Sequence, residues 1–225
     1  MLYVYALVDA CGAAPAPAGE GHGGAPLCVV SGGGVAAVCS RHEHIEVPVE
    51  PASLWRHEHV AETLMEDHAV LPIRFGTTVA DDAALAAMLG EREAEFRGAF
   101  ERVRGRVEIA VRALWTPTEP EPTPALASAG PGRAYLLGRL GARNAASSLA
   151  ESIHARLAAR AVESEYEVSV TPRLLLSAAY LVDRGDVDAF LEAADDAARE
   201  HAEVDLLCTG PWPAHTFARS AGGLA

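Results

Sequence analysis

Leu27–Ser40 reads LCVVSGGGVAAVCS. Two apolar β-type runs flank Ser31–Gly34, and glycines that accept positive φ between such runs make a β-hairpin. A hairpin commits its strands to antiparallel pairing, as in a β-hairpin-rich α+β unit. Upstream, Leu2–Val8 (LYVYALV) is a continuous apolar run rich in Val and Tyr, the pattern of a strand buried on both faces. The Gly-, Pro- and Ala-rich stretch Gly12–Pro26 between them reads as a loop.

Downstream, Ala52–His68 has a helical pattern, and VLPIRFG (Val70–Gly76) is a short extended segment because Pro72 excludes a helix interior and holds Leu71 extended. Asp81 or Asp82 can cap a helix with Leu85, Met88 and Leu89 on one face and Gly90 at its end. A second helix carries Phe96, Phe100 and Val103, with Glu93 placed to support Arg97. Val107, Ile109, Val111 and Ala113 then alternate with Glu108 and Arg112, as in a half-buried strand.

The prolines of Thr116–Gly132 (TPTEPEPTPALASAGPG) make an extended linker or long surface loop. Beyond it come a long Ala- and Arg-rich helix with Leu149, Ile153 and Leu157 on one stripe, and two β-type runs, Tyr166–Val170 and Leu174–Val182. Asp186 then caps a helix burying Val187, Phe190, Leu191 and Ala194, and a final strand runs over Val204–Cys208. The expected organisation is two small α+β domains, 1–116 and 132–225, joined by 117–131, each an antiparallel sheet covered by helices as in ferredoxin-like units.

With 225 residues, half of them apolar, the chain can bury a sizeable core. Its formal charge of −13 argues against nonspecific binding to nucleic acid or to anionic lipid. All 18 basic residues are Arg, which removes any Schiff-base or P-loop lysine. Cys11, Cys28, Cys39 and Cys208 are scattered without a CxxC pair, so free thiols in a reducing compartment are expected. The N-terminus has no basic region before its short apolar run, and a cytoplasmic protein without signal peptide or membrane span is expected.

Gly19–Gly24 (GEGHGG) matches GxGxxG literally, but it leads through Pro26 into a strand, so no helix N-terminus awaits a pyrophosphate and no cofactor is expected. RHEH occurs twice, at Arg41–His44 and Arg56–His59, with His68 further on. On a strand His42 and His44 share a face and could chelate a metal, whereas on a helix His57 and His59 diverge. The ordinary reading is a solvated polar face; the alternative is a metal-binding α+β module. Asp81–Asp82 and Asp195–Asp196 read as caps or surface charge, and neither a GxSxG elbow nor a Walker A motif occurs. No catalytic residue is proposed, although an enzyme of unrecognised type stays open. Arg133, Arg139, Arg143, Arg156 and Arg160 make one basic helix that can pair with the protein's own acidic helices or dock an acidic partner.

Four stretches in order carry a resemblance: HVAETLMEDHAVLPIRFGT (His59–Thr77), GPGRAYLLGRL (Gly130–Leu140), LLLSAAYLVDRGDVDAFL (Leu174–Leu191) and LLCTGPWPAHTF (Leu206–Phe217). With the N-terminal LYVYALV strand, they resemble the gas vesicle protein F/L family over nearly the whole chain. The resemblance implies two α+β domains and a non-enzymatic accessory role in gas vesicle assembly, contacting the small hydrophobic shell protein and other accessory proteins. It also singles out Leu71, Pro72, Arg74, Phe75 and Gly76, and Gly210, Pro211, Trp212, Pro213 and Phe217, as positions serving structure or partner contact. After TGPWP the family usually continues Pro-Tyr-Ser-Phe, where this chain has Ala214, His215, Thr216 and Phe217. Prolines on both sides of Trp212 stiffen the tail, so Trp212 is expected to pack back on the protein itself.

Overall fold

The computed structural model describes residues 1–10, 19–116, 131–169, 171 and 173–218, with the main chain alone at 131–136, 138 and 139. The chain forms two compact units, Met1–Glu108 with Trp212–Ala225, and Ile109–Pro211. Of the expected linker, 117–131, residues 117–130 lie outside the described residues.

In the first unit the central strand is β1 (Leu2–Asp9). It lies between β3 (Val35–Arg41) and β4 (Val70–Pro72), with β2 (Leu27–Gly32) beyond β3, giving the order β2-β3-β1-β4. A two-residue strand, β5 (Thr78–Val79), also pairs with β1, and every pairing is antiparallel. The hairpin is as read from sequence: Gly32 pairs with Val35, and Gly33 and Gly34 form the turn with φ of 60° and 79°. Two successive positive φ values match the right-handed twist of the strands they join and favour glycine at both places.

Helix α1 (Pro51–Met65) packs against β1, while α2 (Asp82–Glu91) covers β2 and α3 (Glu93–Val103) lies against β3 and β4. Asp81 caps α2 by accepting a 2.9 Å bond from the Ala84 N–H, and Arg97 pairs with Glu93 at 2.6 Å. β1 is buried from Leu2 to Val8, as its unbroken apolar run requires. A register shift between Val4 and Ala6 changes the strand's parity, so Tyr3, Tyr5, Ala6 and Val8 all join one core with Val60, Ala61 and Leu64 of α1.

The second unit runs β6 (Arg106–Trp115), α4 (Pro131–Ala158), β7 (Glu163–Val168), β8 (Leu174–Asp183), α5 (Val187–Glu200) and β9 (Val204–Trp212). The order β7-β8-β6-β9 with this βαββαβ succession is ferredoxin-like. Such a sheet needs a strand before α4 as well as β9 after α5, which is why β6 from Ile109 onward belongs here rather than with the preceding residues. Ala146, Ala150, Ile153 and Leu157 form the buried stripe of α4, and Phe190, Ala194 and Ala197 that of α5. Asp186 occupies the N-cap position of α5 without a side-chain capping bond, and Leu191 is exposed. The final strand extends past Cys208 through Pro211 to Trp212; Pro211 is tolerated because β9 is an edge strand.

Candidate functional site: a buried tyrosine–histidine clamp and a tail anchor

Within the first unit, two tyrosines of β1 carry hydroxyls into a fully buried layer, where each must find a partner. Tyr3 Oη lies 3.0 Å from His57 Nδ1 and accepts a 3.0 Å bond from the Gly76 N–H. His57 Nε2 is 2.8 Å from the Ile73 carbonyl. A carbonyl only accepts, so Nε2 carries the proton, Nδ1 accepts, and the Tyr3 O–H donates to it. The chain of bonds is therefore closed from Gly76 to Ile73 through one tyrosine and one neutral imidazole.

A second chain starts at the His22 N–H, which donates to Tyr5 Oη at 2.7 Å; Tyr5 Oη is 2.9 Å from Ser40 Oγ, and Ser40 Oγ is 2.8 Å from His42 Nε2. Glycine at 21 permits this approach, because a Cβ there would fall 2.1 Å from the Tyr5 hydroxyl. The GxGxxG-like stretch thus seats His22 against two tyrosines. The rings of Tyr3, Tyr5, His22, His57 and Phe75 form one connected cluster, with contacting centroids 4.6–6.3 Å apart. His22 Nε2 is buried with no hydrogen-bond partner among the described residues.

Burial decides the protonation of the cluster. It pushes Tyr3 up to about 12, raises Tyr5, and lowers His57. His22 is brought down to about 4 by burial and by the neighbouring histidines and Arg56. Burial thus favours the uncharged forms of these groups, and the hydrogen bonds of Tyr3, Tyr5 and His57 fix their geometry.

The expectation of a solvated histidine face is corrected at one position. His57 is 1% exposed and bonded through both nitrogens, because it lies on the same stripe of α1 as Val60, Ala61 and Leu64; that helical spacing was the signal available in the sequence. His44 and His59 are exposed and His42 is half-buried. Among the described residues, no group of three or more His, Cys, Asp or Glu side chains is arranged to hold a metal ion.

The tail is anchored on this unit by different chemistry. Glu58, the neighbour of His57 on α1, meets His215 Nε2 at 2.9 Å. Burial works against the Glu58 charge, but the His215 hydrogen bond and charge hold its carboxyl below the usual range; His215 is correspondingly raised, Glu58 outweighing burial. Glu108 is 7% exposed, where strand alternation had placed it on the solvent face. It accepts from the Thr216 N–H at 2.7 Å and from Thr216 Oγ1 at 2.8 Å. No sequence signal distinguishes this inward carboxylate, since its partner lies 108 positions away.

Of the ten motif positions, Leu71 and Pro72 are buried in β4, Phe75 is half-buried against the ring cluster, and Arg74 and Gly76 are exposed at the turn that delivers the Gly76 N–H to Tyr3. Gly210 and Pro211 are exposed residues of β9, joined by a cis peptide bond. Trp212 is half-buried, Pro213 is buried, and Phe217 is 2% exposed, so Phe217 is the more deeply buried of the two tail aromatics. The first motif and the tail share α1: His57 bonds to one and Glu58 to the other.

The fold and this site define a two-unit α+β protein whose buried polar groups hold segments in place. Residues 1–219 match the family described as Gas vesicle synthesis protein GvpL/GvpF, and the chain belongs to that family. It is 34% identical over 182 residues to gas vesicle protein L of Streptomyces sp. (strain CB03234), covering 72% of this chain and 67% of that relative. It is 25% identical over 219 residues to gas vesicle protein F2 of Halobacterium salinarum, covering 96% of this chain and 91% of that one. The crystal structure of GvpF from Anabaena sp. PCC7120 superposes with a TM-score of 0.81 at 16% identity, covering 96% of this chain and 97% of that one. GvpF from Microcystis aeruginosa gives 0.76 at 18% identity, with 96% and 98% covered. The α+β reading thus stands on both the strand pairing and these two folds.

Proposed function

We propose that this protein is a non-enzymatic accessory protein of gas vesicle assembly that binds the small hydrophobic shell protein and other accessory proteins in the cytoplasm. Membership of the GvpL/GvpF family across residues 1–219 carries this reading. An apolar, self-associating shell subunit needs a partner that covers its apolar surface before it joins the growing wall. The start of α1 supports such a role: Trp55 is 65% exposed, and Leu54 and the preceding Val49 also face solvent. Aromatic side chains of this kind commonly anchor interfaces. Among the described residues, no helix is long and apolar enough to cross a membrane.

The test is capture of purified shell protein by the full-length chain, paired with complementation of a host lacking this gene. Capture together with restored vesicles supports the assignment. Vesicles of normal number and shape in the deletion host, with no capture in vitro, overturn it. Trp55→Ser is expected to weaken capture while leaving the unfolding midpoint unchanged.

A further inference from the structure

Cys28 of β2 and Cys39 of β3 stand directly opposite one another in the antiparallel register. Their sulfurs are 3.4 Å apart, and the Cys39 thiol also points to the Cys28 carbonyl at 3.6 Å. Residues opposed in this way have Cα atoms about 4.5 or 5.5 Å apart, depending on the type of pair, and both values fall in the span a disulfide bridges. Joining the sulfurs therefore needs side-chain rotation and no displacement of the strands.

We propose that Cys28 and Cys39 are an oxidisable dithiol, a modification site at which a small soluble disulfide closes an intrachain bond across the β2–β3 hairpin. The two thiols divide the work by exposure. Cys39 is fully buried, whereas Cys28 is half-buried and within reach of a reagent. Cys28 as thiolate attacks one sulfur of the reagent RSSR, forming a mixed disulfide and expelling RS⁻, which takes up a proton. Cys39 then attacks Cys28 Sγ, the second RS⁻ departs, and the Cys39 proton leaves with it. The sum is two protein thiols plus RSSR giving one protein disulfide plus two RSH. Burial raises the Cys39 thiol, so it serves as the resolving group and not as the first attacker. The guanidinium of Arg41, two residues along β3 and paired with Asp82, is a positive charge acting on the Cys39 sulfur. The bond would fasten β2, an edge strand of its sheet, to β3.

The full-length protein is treated with oxidised glutathione, then digested and mapped by differential alkylation and fragmentation. Arg41 is the first basic residue, so trypsin leaves Cys11, Cys28 and Cys39 in one peptide; a Cys11→Ser, Cys208→Ser chain isolates the pair, and mapping of the unsubstituted protein serves if that chain fails to fold. The expected result is loss of both remaining thiols, a mass lower by two hydrogens, a monomer on a non-reducing gel, and full reversal by dithiothreitol. Adding Cys39→Ser should instead leave a stable glutathione adduct on Cys28. A persistent adduct with Cys39 present, a disulfide-linked dimer, pairing with Cys11 or Cys208, or two unreacted thiols would each overturn the proposal.

Discussion

At the residue scale, His57 is the point on which the first unit turns. Its removal takes the acceptor from the Tyr3 O–H, which keeps only the bond it accepts from the Gly76 N–H, takes the His57 donor from the Ile73 carbonyl, and opens a cavity beside Phe75. His57→Ala is expected to cost about 2–4 kcal/mol in urea unfolding, since truncation and an orphaned polar group add. His44→Gln and His59→Gln, at exposed positions, should stay within roughly 0.5 kcal/mol of the parent. His22 differs again, because its Nε2 has no partner among the described residues and its pKa is brought down to about 4. The unfolded state therefore binds a proton that the folded state refuses, and stability falls as the pH drops from about 6.5 toward 4. His22→Phe keeps a ring among Tyr3, Tyr5 and Phe75 and removes that proton site. The variant should melt with a visibly shallower pH dependence across this window; an unchanged slope would show that His22 is not the titrating group.

At the element scale, the contrast lies between two aromatics of one tail. Phe217 is fully buried and Trp212 half-buried, so Phe217→Ala should destabilise by about 3–5 kcal/mol and Trp212→Ala by clearly less, comparing midpoints in the same denaturant. Glu108→Ala removes both acceptors that hold Thr216. Hydrogen exchange at residues 214–218 should rise in that variant while α4 and α5 are unchanged. The Glu58–His215 pair adds a pH dependence of the opposite sense to that of His22. Because the folded pKa of His215 is raised, its contribution is present below the ordinary histidine value and is lost as pH rises through the raised one. Exchange at the tail should accelerate over that rise, and His215→Gln should abolish the acceleration.

At the scale of the whole molecule, the first unit is discontinuous in sequence, since residues from Trp212 onward complete it, whereas the second is the single segment Ile109–Pro211. A fragment cut at 1–116 lacks Phe217, Thr216 and His215, so it should be less stable than one in which a short linker joins 1–108 to 212–225; circular dichroism melts of the two fragments decide it. Much of this architecture was legible in the sequence. The hairpin follows from Gly33 and Gly34 between apolar runs, β1 from its unbroken Val and Tyr pattern, and the α2 cap from Asp81, because each is a local preference of backbone or side chain that needs no distant partner. The burial of His57 was also recoverable, as its spacing from Val60, Ala61 and Leu64 is helical. Glu108 facing Thr216, Glu58 meeting His215 and the return of the tail to the first unit were decided by tertiary structure alone, whereas Cys28 stands opposite Cys39 through the hairpin register that Gly33 and Gly34 set. Periodicity assigns a side chain to a face, but the partner of a buried charge depends on which remote atoms arrive opposite it, and only the folded chain brings them there.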